Sequence, residues 1–371
     1  MTNSYHFKGI CVVLLCIEAI AQNVSTSQPT TPDAQVRLGN DYLDKKDYSS
    51  AMTWFRKAAG RANPVAENNV GWLYENGWGV QRDYTEAMNW FRKAASQGYD
   101  LAQTNIGVLY EHGWGVKQDY AEAMTWYRKA FDQGNARAGR NIGFLYSNGS
   151  GVKQDYSEAA NWYRMAAGQG DVKALVYLGT FYRTGLGVEQ SYTEAMAWYT
   201  RAADKEDSEA QNAIGDFYLE GLGVTRDYAK AMAWYRKAAD QGNAQAERNI
   251  GTLYEKGLGV AQDHSEAEAW SKKAEDHTLL PGGIRPPRAI YSPDPGYSDE
   301  ANKAKFEGTC VLSLIVGTDG STRDIKVVRS LGKGLDEKAI DAIKTWKFEP
   351  GTKDGVPVAT QIDIEVTFRL K

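Results

Sequence analysis

Residues 66–94 read AENNVGWLYENGWGVQRDYTEAMNWFRKA, and residues 102–130, 36 positions later, read AQTNIGVLYEHGWGVKQDYAEAMTWYRKA. In the first stretch Ala66, Val70, Leu73 and Tyr74 stand at i, i+4, i+7 and i+8, which lays them along one face of a helix. Gly77 can end that helix in the left-handed conformation. Asp83 and Glu86 have the spacing of a capping-box pair at the next helix start, and Tyr84, Ala87, Phe91 and Ala94 supply its apolar face. Each such unit is expected to be a helical hairpin.

Working outward, Trp54, Trp90, Trp126, Trp162, Trp198, Trp234 and Trp270 keep the same 36-residue step, as do Gly71, Gly107, Gly143, Gly179, Gly215 and Gly251. Self-similarity at this period is the mark of a stacked solenoid, whose core grows lengthwise. A Gly inside each first helix costs about 1 kcal/mol relative to Ala. Its recurrence predicts a site where neighbouring backbones approach too closely for a Cβ. The tryptophans and tyrosines are expected to be mainly core between repeats. The Gly-x-Gly-Val element, as at Gly77 to Val80, is not a phosphate loop, since no strand precedes it and no Lys-Ser/Thr follows; it is expected to be a turn. The first unit is short, with 32 residues from Gly39 to Gly71, and the last carries Glu266, Glu268, Lys272, Lys273, Glu275 and Asp276, as a terminal cap would.

Composition fits this picture. The 371 residues include 22 Tyr and 11 Trp, so disorder over most of the length is excluded. A formal charge of -4 gives no general attraction to nucleic acid or to an anionic membrane. No run reaches the ~20 apolar residues of a bilayer span, and mean hydropathy is -0.53, so a polytopic membrane protein is excluded. At the N-terminus Lys8 precedes an apolar stretch from Ile10 to the small-x-small Ala19-Ile20-Ala21. Residues 1–21 are therefore expected to be a signal peptide cleaved after Ala21, followed by a polar linker over 22–34. Cys11 and Cys16 lie in that leader, which leaves Cys310 and no intramolecular disulfide.

The units resemble the Sel-one-like repeat, a relative of the tetratricopeptide repeat, over residues 35–276. The resemblance implies a protein-binding scaffold. Five prolines (Pro281, Pro286, Pro287, Pro293, Pro295) then crowd a segment expected to be a stiff linker, residues 277–295. Beyond it, Thr309–Val316 and Thr322–Ser330 flank a Gly317-Thr318-Asp319-Gly320 turn, with Ile325 and Val327 alternating against Asp324 and Lys326. Leu335, Ala339, Ile343 and Trp346 have helical spacing, and Thr360–Leu370 alternates strictly between apolar and polar residues. The expected fold class is thus multi-domain: an all-α helical-hairpin solenoid of 36-residue repeats, then a small α+β domain (296–371) with an antiparallel sheet ordered strand, strand, helix, strand.

Glu307-Gly308-Thr309, Asp319-Gly320, Val327-Val328-Arg329-Ser330, Leu335-Asp336, Trp346-Lys347-Phe348-Glu349-Pro350 and Val366-Thr367-Phe368 fall in the order of the TonB-family C-terminal domain, which this region resembles. Tyr297-Ser298-Asp299-Glu300-Ala301 stands where that family has Tyr-Pro-x-x-Ala, with Ser298 for the proline. The resemblance implies linkage between inner-membrane energy complexes and outer-membrane transporters, through pairing of the last strand with a partner's extended segment. An open edge offers the main-chain bonds this needs. The partner-binding residues it implies are Gln361, Ile362, Asp363, Ile364, Glu365, Val366 and Thr367, together with Tyr297. Of Asp363 and Glu365, one is expected to direct its N–H outward and the other into the sheet.

The chain departs from an energy-coupling member in having a cleavable-looking leader and a solenoid where a long Pro-rich spacer would stand. The expectation is a periplasmic or cell-envelope adaptor that binds proteins and touches membranes only indirectly; the alternative is a true energy transducer with an uncleaved anchor. His6, His112, His264 and His277 are scattered, without metal or catalytic spacing, so no enzyme, cofactor, metal or small-molecule substrate is expected.

Overall fold

The computed structural model describes residues 30–280, 283–306 and 308–368. The expected signal peptide, its cleavage point, Cys11, Cys16 and the linker up to residue 29 lie outside the described residues, as do Glu307 and the last three positions of the chain. The contacts divide the chain into two compact units, one ending at Ala102 and the other beginning at Gln103.

Seven helical hairpins run through the described residues. They are α1 (Pro32–Asp44) with α2 (Tyr48–Ala59), α3 (Pro64–Asn76) with α4 (Tyr84–Ser96), α5 (Asp100–His112) with α6 (Tyr120–Phe131), α7 (Ala136–Asn148) with α8 (Tyr156–Gly168), α9 (Val172–Thr184) with α10 (Tyr192–Ala203), α11 (Ser208–Glu220) with α12 (Tyr228–Ala239), and α13 (Ala244–Lys256) with α14 (His264–His277). Helix α1 starts at Pro32, capped by Thr31, so the last three residues of the expected linker form its first turn.

Local chemistry fixes the hairpin ends. Gly77 adopts φ +69 at the C-terminus of α3, a left-handed cap that only glycine takes without strain. Asp83 caps α4 by accepting from the N–H groups of Thr85 (2.9 Å) and Glu86 (3.0 Å). The reciprocal half of the expected capping box is absent, because the Asp83 N–H already donates to Tyr74 O (3.1 Å). The same bond runs from Asp227 to Tyr218 (2.9 Å), which explains how Lys230 can replace the glutamate there.

The glycine inside each first helix except the last makes room for a ring rather than chiefly for a backbone; at Gly251 the nearest atom is the backbone oxygen of Ala267. A Cβ on Gly215 would sit 2.4 Å from Cε1 of Tyr235, and one on Gly71 would meet the Phe91 ring at 2.7 Å. These rings follow the repeat tryptophan by one residue, and Phe55, Phe91, Tyr127, Tyr163, Tyr199 and Tyr235 are the buried aromatic core. The expectation for the tryptophans holds in part, since Trp162 is buried and Trp90, Trp198, Trp234 and Trp270 pack against the core. Except for the buried Trp162 they are half-exposed, and Trp54, Trp90, Trp126, Trp198, Trp234 and Trp270 each carry a Lys or Arg from one turn on, 3.7–5.2 Å from the ring centroid. A residue beside a stripe position lies about 100° around the helix, so the Trp stands at the margin of the face on which its neighbour is buried, and only Trp162 is buried together with its neighbour Tyr163.

In the C-terminal region the strands are β1 (Ile284–Arg285), β2 (Arg288–Tyr291), β3 (Gly308–Val316), β4 (Thr322–Arg329), β5 (Lys347–Glu349), β6 (Gly351–Lys353), β7 (Val356–Val358) and β8 (Thr360–Phe368), with helices α15 (Asp299–Lys303) and α16 (Leu335–Thr345). The main sheet is antiparallel in the order β4-β3-β8, and α16 packs over β3 and β4. Leu312, Leu314, Val316, Leu335, Ala339, Ile343 and the buried Cys310 form the core. The Pro-rich segment is not simply a linker, since β1 pairs with β6 and β2 with β5, where Arg288 and Glu349 meet in a two-pronged ion pair (3.0 and 2.9 Å). Val327 is exposed against expectation, because β4 carries extra residues near Asp324, whose φ is +53, and at Val328.

Candidate protein-binding edge

Strand β8 alternates because its even-numbered side chains face the core and its odd-numbered ones face solvent: Val366 and Phe368 are buried, Ile362 and Ile364 half-buried, and Gln361, Asp363, Glu365 and Thr367 exposed. Ties to β3 fix the exposed row, with Gln361 Nε2 donating to Ser313 Oγ (3.0 Å) and the hydroxyls of Thr309 and Thr367 in contact (2.9 Å).

Main-chain direction follows from the β3–β4 turn. Gly317 N–H donates to Ser321 O (2.8 Å) and Gly317 O accepts from Gly320 N–H (3.0 Å), so Gly317 aims both groups at β4. The pairing of β3 with β8 runs from Gly308 to Val316 without a register shift, and main-chain groups alternate in direction along a strand. Val316, Leu314, Leu312, Cys310 and Gly308 therefore face β8, and their partners Thr360, Ile362, Ile364, Val366 and Phe368 face β3. Gln361, Asp363, Glu365 and Thr367 direct N–H and C=O to the outer side. Asp363 and Glu365 are two residues apart and share a direction, so the expectation that they differ is corrected.

The two edges of the sheet are not equivalent. The bulges of β4 spoil its ladder, a known way of blunting an edge. Strand β8 stays regular for nine residues. The segment expected to be linker is spent on β5 and β6 rather than on β8. Tyr297 is placed elsewhere: its ring packs edge-on against Phe368 (5.7 Å) on the core side, away from the outward-facing row. Ser298, in the place of a proline, caps α15 by accepting from Ala301 N–H (3.0 Å), and its hydroxyl donates to Lys333 O.

The hairpins offer a second polar surface that sequence reasoning missed. The hydroxyl of Tyr235 donates to Asp216 (2.7 Å), and Asn249 Nδ2 reaches Asn212 (3.0 Å) and Asp216 (3.3 Å). Burial pushes the Asp216 carboxyl above its usual range, and burial plus the Asp216 charge raises Tyr235. Tyr127 donates in the same way to Glu111 (2.5 Å) and is raised by burial first and that carboxylate second. The 36-residue step carries no signal for them, since Asp216 directly follows the helix glycine Gly215 whereas Glu111 stands four residues after Gly107.

Seven consecutive segments from 32–63 to 244–278 match the Sel1 repeat. The chain belongs to the Sel1 repeat family. A Sel1 repeat protein from Oxalobacter formigenes is similar over 64% of this chain and 98% of its own, with 40% identity and a TM-score of 0.59. The structure of c5321, a protective antigen of uropathogenic Escherichia coli, is 36% identical with a TM-score of 0.53, covering 67% of this chain and 54% of that one. To its repeats this Sel1 protein adds residues 293–370, which match the Gram-negative bacterial TonB protein C-terminal domain. Protein TonB of Vibrio cholerae is 38% identical over 78 residues, and tonB2 of Pseudomonas aeruginosa 30% over 82. The matches cover 21% and 22% of this chain and span about a third of those relatives, 32% and 30% of their lengths. Among the described residues no helix is long and apolar enough to cross a membrane.

Proposed function

We propose that this Sel1 repeat protein is a cell-envelope adaptor of a Gram-negative bacterium, exported to the periplasm, that captures one protein by strand addition to β8 and holds another on its repeats. The observation that carries the reading is the edge itself: nine regular residues with Gln361, Asp363, Glu365 and Thr367 aiming their main-chain groups outward, on a sheet whose other edge is bulged. Support of transport across the outer membrane is the process in which such capture would serve, by analogy with the TonB relatives. Binding rather than catalysis is its role in this reading.

Proline scanning tests it. Asp363→Pro removes an outward N–H and is expected to leave the melting temperature within about 5 °C, as proline is tolerated on an edge facing away from the ladder. It should abolish periplasmic crosslinking to partners. Ile364→Pro removes the bond to Leu312 and should unfold the C-terminal domain. A folded Asp363→Pro chain that still captures the same partners with unchanged yield overturns the assignment.

A further inference from the structure

We propose that residues 284–291, strands β1 and β2 with the turn between them, are a releasable strap. They leave β5 and β6 as one unit while the rest of the C-terminal domain stays folded, and so lengthen the connection between that domain and the last helical hairpin. The release is a property of the chain alone and holds whichever partner the β8 edge receives. What fastens the strap is short: β1 pairs with β6 over two residues, and β2 pairs with β5 at three, with a register shift at Ile290. Pro286 and Pro287 between them have no N–H to give to a ladder. Strand β2 is exposed along its whole length, and its large apolar residues Ile290 and Tyr291 are 56% and 55% exposed, so detaching it uncovers little apolar surface. The turn is not closely packed either, since Gly283, Pro286 and Pro287 line an open cleft of about 1010 Å³ together with Pro350, Thr352 and Gly355.

Charge adds little to this fastening. Arg288 and Glu349 are both exposed, and ion pairs in water contribute weakly. The other pair, Arg285 with Glu275 (2.7 Å), ties β1 to α14 instead of to the sheet, as does the bridge between Leu280 and Ile284. Strand β1 can therefore stay with the hairpin when it leaves β6. Opening has a built-in stop beyond β2, where Trp346 Nε1 donates to Pro293 O (3.1 Å), the Tyr297 ring packs on Phe368 (5.7 Å) and Ala301 is buried in the core. Segments with few buried apolar contacts open at lower free energy than the core they lie on. From Ile284 to Pro293 the chain advances nine residues, which at the ~3.1 Å per residue of a Pro-rich segment is about 28 Å of free chain.

Hydrogen exchange of the full chain, read by mass spectrometry, tests the release. Amides in 284–291 and in 347–353 are expected to exchange together, about 100-fold faster than those of β3 and β8 in the same domain. The double variant Ile284→Cys, Lys353→Cys places the two thiols on residues that face each other across the ladder. Its disulfide should slow that exchange about tenfold, and reduction should restore it. A fluorophore pair on Lys272→Cys and Lys344→Cys, both exposed positions, reads the length. In urea below the unfolding transition a second population should appear, longer by up to about 28 Å, with far-ultraviolet circular dichroism unchanged. Exchange at 284–291 as slow as in β3 and β8, exchange that the formed disulfide leaves unchanged, or a single label distance until the domain unfolds overturns the strap.

Discussion

Replacing the buried helix glycine by alanine should have unequal consequences in two adjacent hairpins. At Gly215 the added Cβ would lie 2.4 Å from Cε1 and 2.5 Å from Cδ1 of Tyr235, about 1 Å inside ordinary contact. That ring is fully buried and tethered by its hydroxyl to Asp216 at 2.7 Å, so it cannot rotate into solvent. Overpacking of this kind costs about 1–3 kcal/mol, while the gain in helix propensity returns about 1 kcal/mol. Retreat of the ring also strains the bond to Asp216, a loss of about 1 kcal/mol. The net destabilisation is about 1–3 kcal/mol, or a fall of about 3–10 °C in melting temperature for an array of this size. At Gly251 there is no ring. Ser271 follows Trp270, and the nearest atoms to a new Cβ are Ala267 O at 3.1 Å and Ser271 Oγ at 3.2 Å. Gly251→Ala should therefore stay within about 1 kcal/mol of the parent, in either direction. Urea titrations followed by far-ultraviolet circular dichroism measure both variants. Tyr235→Ser in the Gly215→Ala background should reduce the cost of the alanine, a coupling that a double-mutant cycle reads directly. Equal midpoints for Gly215→Ala and Gly251→Ala, or an additive cycle, would show that the ring is not what excludes the Cβ.

Two further outcomes follow from the same geometry. The raised Asp216 carboxyl keeps a proton in the folded state at pH values where the unfolded chain, near its ordinary 3.8, has lost it. Its contribution to stability is therefore full below that value and declines as pH rises through the window up to the folded value; the urea midpoint of the parent relative to Asp216→Asn should fall with rising pH from about 4 upward, and a flat or rising difference would refute the shift. Ser298→Ala removes the cap of α15 and the tie to Lys333; it should lower stability by about 1 kcal/mol, seen as a lower urea midpoint for the C-terminal transition with the helical transition unchanged.

The repeat was legible because its period is carried by residues that the hairpins share: a glycine inside the first helix, which faces a ring in all but the last, an Asp or Ser cap, a small residue between helices. Which aromatic lies inside was not, since Trp234 and Tyr235 are neighbours and both recur at the same step; only the Tyr235 ring against Gly215 decides it. In the C-terminal domain the long strands announced themselves through alternation over nine residues in β8. Strands β1 and β2, of two and four residues, are too short for any period to show, and their prolines read as linker for that reason. The same distinction bears on the binding edge. Side-chain alternation is written in the sequence and placed Asp363 and Glu365 on one wet face. The direction of their main-chain groups depends on where the neighbouring hairpin closes, at Gly317 and Ser321, and that is a property of the turn geometry. Because the β3–β8 register is continuous from that turn to Phe368, a single bond at one end of the domain sets which four residues of the last strand face outward. An insertion of one residue in β8 near Thr360 would reverse that choice along the whole edge while moving every apolar side chain to the wrong face. The ability to fold and the ability to receive a strand are in this way fixed by one register.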